Sequence, residues 1–368
     1  MPTLAAVAGT LLVLAVLWDA FEVIILPRRV VGRLRLARWF YRLTWATWAA
    51  AGRRMRPGGR REAYLSVYGP LSLLVLIMLW AVTMVFGFGL IQWAARGPAG
   101  EHGPATLGSA VYLSGTTFFT LGLGDVVPTQ RAARILTVIE GGTGFLFLAV
   151  LVGYLPVMYQ AFSRREVSIS MLDARAGSPP SAGELLSRHR RDLGALYELL
   201  HDWERWSAEL LESHLSYNVL SYFRSQHDNE SWLAALTTIL DACALMLTAG
   251  DTRCRRQAGL TFAMARHAVA DLAQVLAAMP RPPARDRLPP PALAELRTTL
   301  RDDGIVLESG EAADRRVAEL RGLYEPFLNG LAEHLVIALP PFRRAQAAAD
   351  NWQTTAWNPS PPAPPVSL

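Results

Sequence analysis

The chain has 368 residues, of which 51% are hydrophobic, a positive mean hydropathy of +0.21 and a formal net charge of +5. Its two cysteines, Cys243 and Cys254, give no basis for a disulfide framework or a cysteine-built metal site. The basic balance would suggest nucleic acid in a soluble protein. Here, however, the arginines cluster beside apolar runs, so no nucleic acid is expected and anionic lipid is the expected partner.

Three runs, about Leu4 to Leu26, Leu65 to Trp93 and Ile135 to Phe162, are each long enough to cross a hydrocarbon core of about 30 Å. The first lacks a basic start and a small-residue cleavage site, and it carries Asp19 and Glu22, so residues 1–27 read as a membrane anchor rather than a signal peptide. Those two carboxylates are expected to pair with Arg28 or Arg29. Residues 28–62 hold eleven arginines between Arg28 and Arg61, and the loop after the second run holds only Arg96. The positive-inside rule then puts 28–62 in the cytoplasm and the amino terminus outside. Leu34, Leu36, Trp39, Phe40, Leu43, Trp45 and Trp48 interleave with Arg33, Arg35, Arg38 and Arg42, the pattern of a helix lying on a membrane surface. It would either transmit force or serve as a passive anchor.

Within residues 63–163, Leu107 to Phe119 reads as a short helix entering the membrane, followed by Thr120-Leu121-Gly122-Leu123-Gly124-Asp125. A dehydrated cation needs several oxygen dipoles in place of its water. A strand can aim successive carbonyls at one axis only if alternate residues take backbone angles that side chains resist, and Gly122 and Gly124 relieve that restriction. A phosphate-cradling loop fits poorly, because no Lys follows and no strand-to-helix unit surrounds the motif.

The stretch Tyr112 to Pro128, including Ser114, Thr117, Asp125 and Pro128, resembles the pore loop of the potassium channel superfamily. The resemblance implies that the carbonyls of Thr120, Leu121, Gly122, Leu123 and Gly124 bind K+, with Asp125 at the outer mouth. With one pore loop per chain, a closed cage requires a homotetramer. It further implies that the third run lines the inner vestibule. Gly144 then falls at a hinge position, with Gly153 and Pro156 as further hinge or gate candidates and Phe145, Leu148 and Val152 facing the pore. Leu121 and Leu123 depart from the usual Val and Tyr, which would loosen K+ over Na+ selectivity, since Leu123 has no hydroxyl to tether the filter. Glu140 is expected to hydrogen-bond the pore helix and tune gating. No apolar run carries regularly spaced Arg, so voltage sensing is not expected.

Residues 164–180 read as a linker and 181–340 as a soluble α-helical domain in the cytosol, with a Pro-rich tail over 341–368 that is disordered from about Thr354. Ser181 with Glu184 forms a capping signature ahead of Leu185, Leu186, Leu193 and Leu196. Further helices are expected at about Glu230 to Ala249, Thr252 to Met279, Pro291 to Leu300 and Gly310 to Leu339. His201, Glu204, Glu209, Glu212 and His214 lack diagnostic metal spacing. Ser221 to Trp232, dense in polar and aromatic groups, is either a ligand pocket or a hydrogen-bond network joining helices. The domain's own ligand is not legible.

No zinc, nucleophile-elbow or Walker signature occurs, so neither catalysis nor a cofactor beyond permeant K+ is expected. The fold class expected is all-α. The function expected is a potassium-selective channel in a bacterial inner membrane, the all-arginine basic set and abundant Ala, Gly and Pro reading as GC-rich base composition. A weakly selective cation channel and a non-conducting membrane sensor or scaffold stand as alternatives.

Overall fold

The computed structural model describes residues 2–26, 36–95, 99–100, 106–227, 229–344 and 350–353, and these are all-α apart from one two-residue antiparallel pairing and an isolated bridge between Ala249 and Leu307. The expected partners Arg28 and Arg29, and the tail from Thr354, lie outside those residues. The chain divides into two units: residues 1–47 with 68–160, and residues 48–67 with 161–368.

Three helices are long and apolar enough to cross a membrane: Pro2–Ile25, Gly59–Ala94 and Arg131–Ala176. The first is α1 (Pro2–Ala20), closed by one π-helical turn, Phe21–Ile25. It crosses α3 (Gly59–Ala94) where a Cβ on Gly9 would lie 2.4 Å from the Gly87 carbonyl oxygen, so only glycine admits this backbone approach. Val13 and Val16 of α1 continue the contact into a core with Leu76, Trp80, Met84 and Phe88 of α3 and Phe118. α2 (Leu36–Arg54) joins this core through Ala37 and leaves Trp39 and Leu43 exposed. Asp19 fastens the described start of α2: its buried carboxylate accepts the Ala37 amide at 3.1 Å and the Trp80 indole N–H at 3.0 Å. One carboxylate thus ties α1, α2 and α3 together.

The third long helix, α5 (Arg131–Ala176), corrects the expectation of a linker over 164–180. Arg164 and Arg165 mark no end to the helix, which continues about four turns beyond the apolar run, with Arg165 finding buried partners.

In the second unit α6 (Ala182–Arg188) starts where Ser181 accepts the Glu184 amide. The helix stops at His189, and α7 (Leu193–Ser216) restarts on an Asp192 cap, so the expected continuous run from Leu185 to Leu196 is broken. α8 (Trp232–Met246) is buried along its whole length; this short apolar helix is the centre of the unit rather than a membrane segment. α9 (Thr252–Val275), α10 (Pro290–Asp302), α11 (Glu311–Gly322) and α12 (Glu325–Leu335) follow. The single helix expected from Gly310 to Leu339 is two, because Pro326 removes an amide donor and restricts Glu325, forcing a new start after Tyr324.

A buried ionic network fastens α8 to the last helices. Arg287 bonds both Asp241 carboxylate oxygens and Glu325, and the Tyr324 hydroxyl donates to Asp241 at 2.6 Å. Burial opposes charge on Arg287, but Asp241 raises its basicity further and keeps it protonated.

Candidate functional site: the loop after the fourth helix

The short helix α4 (Leu107–Phe118) begins where Thr106 accepts the Ser109 amide and Ser109 accepts the Thr106 amide, a reciprocal cap that fixes its first turn. At its other end the Phe119 amide still bonds Gly115, and then the backbone alternates. Thr120 has φ 58°, Gly122 φ 57° and Gly124 φ 78°, while Leu121 and Leu123 are not in the positive-φ region. Left-handed angles at every second residue turn successive carbonyls toward one side of the strand, which a row of cation ligands requires. The two glycines adopt the angle freely. Thr120 does so at a cost of about 1–3 kcal/mol, and it was not anticipated from the sequence.

The strained segment is held by its own helix. Thr120 N–H donates to the Thr117 carbonyl at 3.0 Å, and the Leu121 and Gly122 amides converge on the Thr116 carbonyl at 2.7 and 3.2 Å. All residues from Thr120 to Asp125 are exposed in the protomer, and a Cβ on Gly122 or Gly124 would meet nothing within 4 Å. The loop is therefore a surface feature of a single chain.

The sequence pointed to a missing tether at Leu123. A different one is present: the Tyr112 hydroxyl donates to Asp125 at 2.9 Å, anchoring the Asp125 end of the loop to α4. Both residues lay in the recognised motif, but their pairing across thirteen positions carried no sequence signal. Beyond Asp125, Val126–Val127 pairs antiparallel with Ala99–Gly100.

Behind the loop, the fully buried Glu140 of α5 meets the Ser114 hydroxyl of α4, which also lies 2.7 Å from the Val85 carbonyl of α3. One hydroxyl thus joins all three helices. One turn earlier on α5, Gln92 donates to Thr137 at 2.9 Å.

Gly144, read as a hinge, sits at a point of contact. A Cβ there would lie 2.2 Å from the Phe118 carbonyl, and α5 runs unbroken through it. Its absent side chain lets α5 approach the end of α4. Nothing lies within 4 Å of a Cβ on Gly153, and Pro156 is accommodated inside the same helix. Phe145, Leu148, Val152 and Pro156 form one exposed stripe of α5. Away from the loop, no three metal-ligating side chains gather among the described residues. His214 is buried, whereas His201, Glu209 and Glu212 are exposed and Glu204 accepts from Gln257.

Residues 72–161, spanning α3 from Ser72, α4, the loop and α5 to Ala161, match a family model described as an ion channel. Over 203 residues the chain is 24% identical to the uncharacterized membrane protein YdjJ of Bacillus subtilis (strain 168). That similarity covers 54% of this chain and 59% of the relative, so the chain spans about three fifths of the length of the curated relative it matches. No solved structure matches. The family match and the three apolar helices support a membrane protein with an ion-channel-type region over residues 72–161.

Proposed function

We propose that the chain is a potassium-selective channel whose pore is closed by four copies, with the carbonyls of Thr120 to Leu123 and the Thr120 hydroxyl replacing water around K+. The observation that carries this reading is the alternation of left-handed backbone at Thr120, Gly122 and Gly124 on an exposed loop inside the ion-channel match. One strand supplies one oxygen per level, so the site is complete only around a symmetry axis. The negative end of the α4 dipole favours a cation below the loop. The exposed α5 stripe of Phe145, Leu148, Val152 and Pro156 then lines the vestibule, with gating by α5 or by the loop under control of the second unit. The eleven arginines of 28–61 put that unit in the cytosol of a bacterial inner membrane, against anionic lipid, with the amino terminus outside.

A weakly selective cation pore has its own support in Leu121 and Leu123, which leave the filter without the usual side-chain bracing. Bilayer recording of the full chain under opposed K+ and Na+ gradients separates the readings. A reversal potential near that of K+ is expected, and one near zero gives the weakly selective pore. Absence of current in all ionic conditions would leave a membrane sensor or scaffold.

A further inference from the structure

The segment from Ser221 to Trp232, too polar and aromatic for an ordinary loop, begins beside a junction between the two helices that flank the pore loop. We propose that the turn Asn218–Arg224 is a crossbar coupling the Glu62 end of α3 to the Arg165 region of α5, so that displacement of one is passed to the other. The proposal deepens the channel reading, on which its gating consequence rests.

Two adjacent residues of the turn hold the two helices. On the α5 side, Arg165 is buried and donates to the Leu220 and Phe223 carbonyls, each at 2.9 Å. Its Nε donates to Glu166 at 2.9 Å, and the nitrogen that reaches Leu220 also lies 3.3 Å from His214, with the guanidinium over the ring of Phe162. On the α3 side, Arg224 pairs with Glu62 at 3.3 Å and also donates to the Leu335 and Val336 carbonyls that end α12. Burial lowers Arg224 to about 10, with Glu62 opposing the shift, so it stays charged at neutral pH.

The turn is stiff enough to carry a displacement. Asn218–Tyr222 is a 3-10 helix with Val219 to Tyr222 buried, and Trp232 of α8 donates to the Ser221 carbonyl at 3.3 Å. The α3 end is stiff as well. Trp48 stacks on Tyr64 at 4.6 Å and 7°, a Cβ on Gly52 would lie 2.7 Å from Leu65, and Arg53 donates to the Glu333 carbonyl at 2.9 Å.

Pulling α5 from the turn takes the Leu220 and Phe223 carbonyls from the buried Arg165, and pulling α3 away takes Glu62 from Arg224; losing a partner of a buried charge costs more than an ordinary hydrogen bond. The two attachments share the Phe223–Arg224 peptide, so strain at one reaches the other through a single backbone link.

The test uses the full chain in liposomes. Glu62→Arg opposes two like charges and should change K+ flux at least about fivefold, the scale of a coupling free energy of about 1 kcal/mol. Combining it with Arg224→Glu restores the pair with reversed sign and should bring flux back toward the parent. Unchanged flux in Glu62→Arg beside a conducting parent overturns the crossbar. Since Arg224 also holds α12, Glu62→Gln and Arg165→Gln are followed by amide hydrogen exchange, which needs no conduction. Each should raise exchange at both 59–67 and 161–168. A rise confined to the substituted end overturns the proposal; a silent parent with exchange rising at both ends would sink the channel reading and leave the crossbar standing.

Discussion

α1 and α3 meet backbone to backbone at Gly9 and Gly87, whereas in the second unit α8 is enclosed by helices that guanidinium and carboxylate groups hold together. Each choice suits its solvent. Where lipid surrounds the helices, burying apolar surface between them gains little, so close approach and a few satisfied polar contacts must supply the contact energy. Asp19 and Glu140 play that part, each joining three helices through a single side chain or its partner hydroxyl. Where water surrounds the fold, the apolar faces of α8 drive collapse and ionic networks fix the geometry. The first unit should therefore be most sensitive to added atoms and altered backbone, and the second to removed charges.

The largest effect is expected from Gly122→Ala. Nothing lies within 4 Å of the new Cβ, so there is no clash to relieve, and the penalty comes from holding an L side chain at φ 57°. Multiplied over the copies around an axis, it should abolish K+ flux while leaving assembly size on gel filtration unchanged. Conduction at parental levels would show that the alternating backbone is not the conduction path.

Next comes the ionic core of the second unit. Asp241 has no exposed side-chain surface and is bonded by Arg287 and Tyr324, so Arg287→Ala leaves an unpaired buried carboxylate at a cost of about 3–5 kcal/mol. Tryptophan fluorescence in denaturant should place the loss in the second unit, through Trp203, Trp206 and Trp232. The same method should find a smaller change in Gly122→Ala, and reversal of that ranking would break the contrast between the units.

A smaller, pH-dependent loss is expected at His214. Burial and the neighbouring Arg165 charge hold its imidazole well below its ordinary value of 6.5, against the pull of the Leu210 carbonyl. The native state thus refuses a proton that the unfolded chain accepts. Stability is unaffected above about pH 6.5 and falls below it, by at most about 1.4 kcal/mol per pH unit. Comparing the parent with His214→Gln at pH 7 and pH 5.5 isolates this group from the carboxylates. Parallel losses in the two proteins would remove His214 as the cause.

The two units also differ in how much of them the sequence displays. The loop after α4 was legible as an alternating segment because its information is local: glycines two apart with an Asp behind them. Span lengths were readable because hydropathy is additive along the chain. What was missed depends on contacts between distant residues. Arg164 and Arg165 looked like the end of a membrane helix because nothing near them in sequence shows the carbonyls of Leu220 and Phe223 that receive Arg165. Asp19 showed nothing in the sequence of the Ala37 amide and the Trp80 indole that it accepts from, 18 and 61 positions away. Gly144 had the spacing of a hinge, and its tight fit to the Phe118 carbonyl could be seen only once α4 and α5 were in place.

The smallest effect is expected from Tyr112→Phe, which keeps the ring and removes the hydroxyl that Asp125 accepts at 2.9 Å. Both residues are exposed in the protomer, so the loss in stability should stay below about 1 kcal/mol. Selectivity should move more than stability. Discrimination between K+ and Na+ depends on how firmly the carbonyls hold their spacing, and with Leu123 offering no tether, Tyr112 is the bond that restrains the outer mouth from α4. The reversal potential under opposed gradients should shift toward Na+ while melting behaviour stays near the parent. An unchanged reversal potential would mean that the convergence of the Leu121 and Gly122 amides on Thr116 is enough to hold the filter, moving its rigidity from the outer mouth to the inner end.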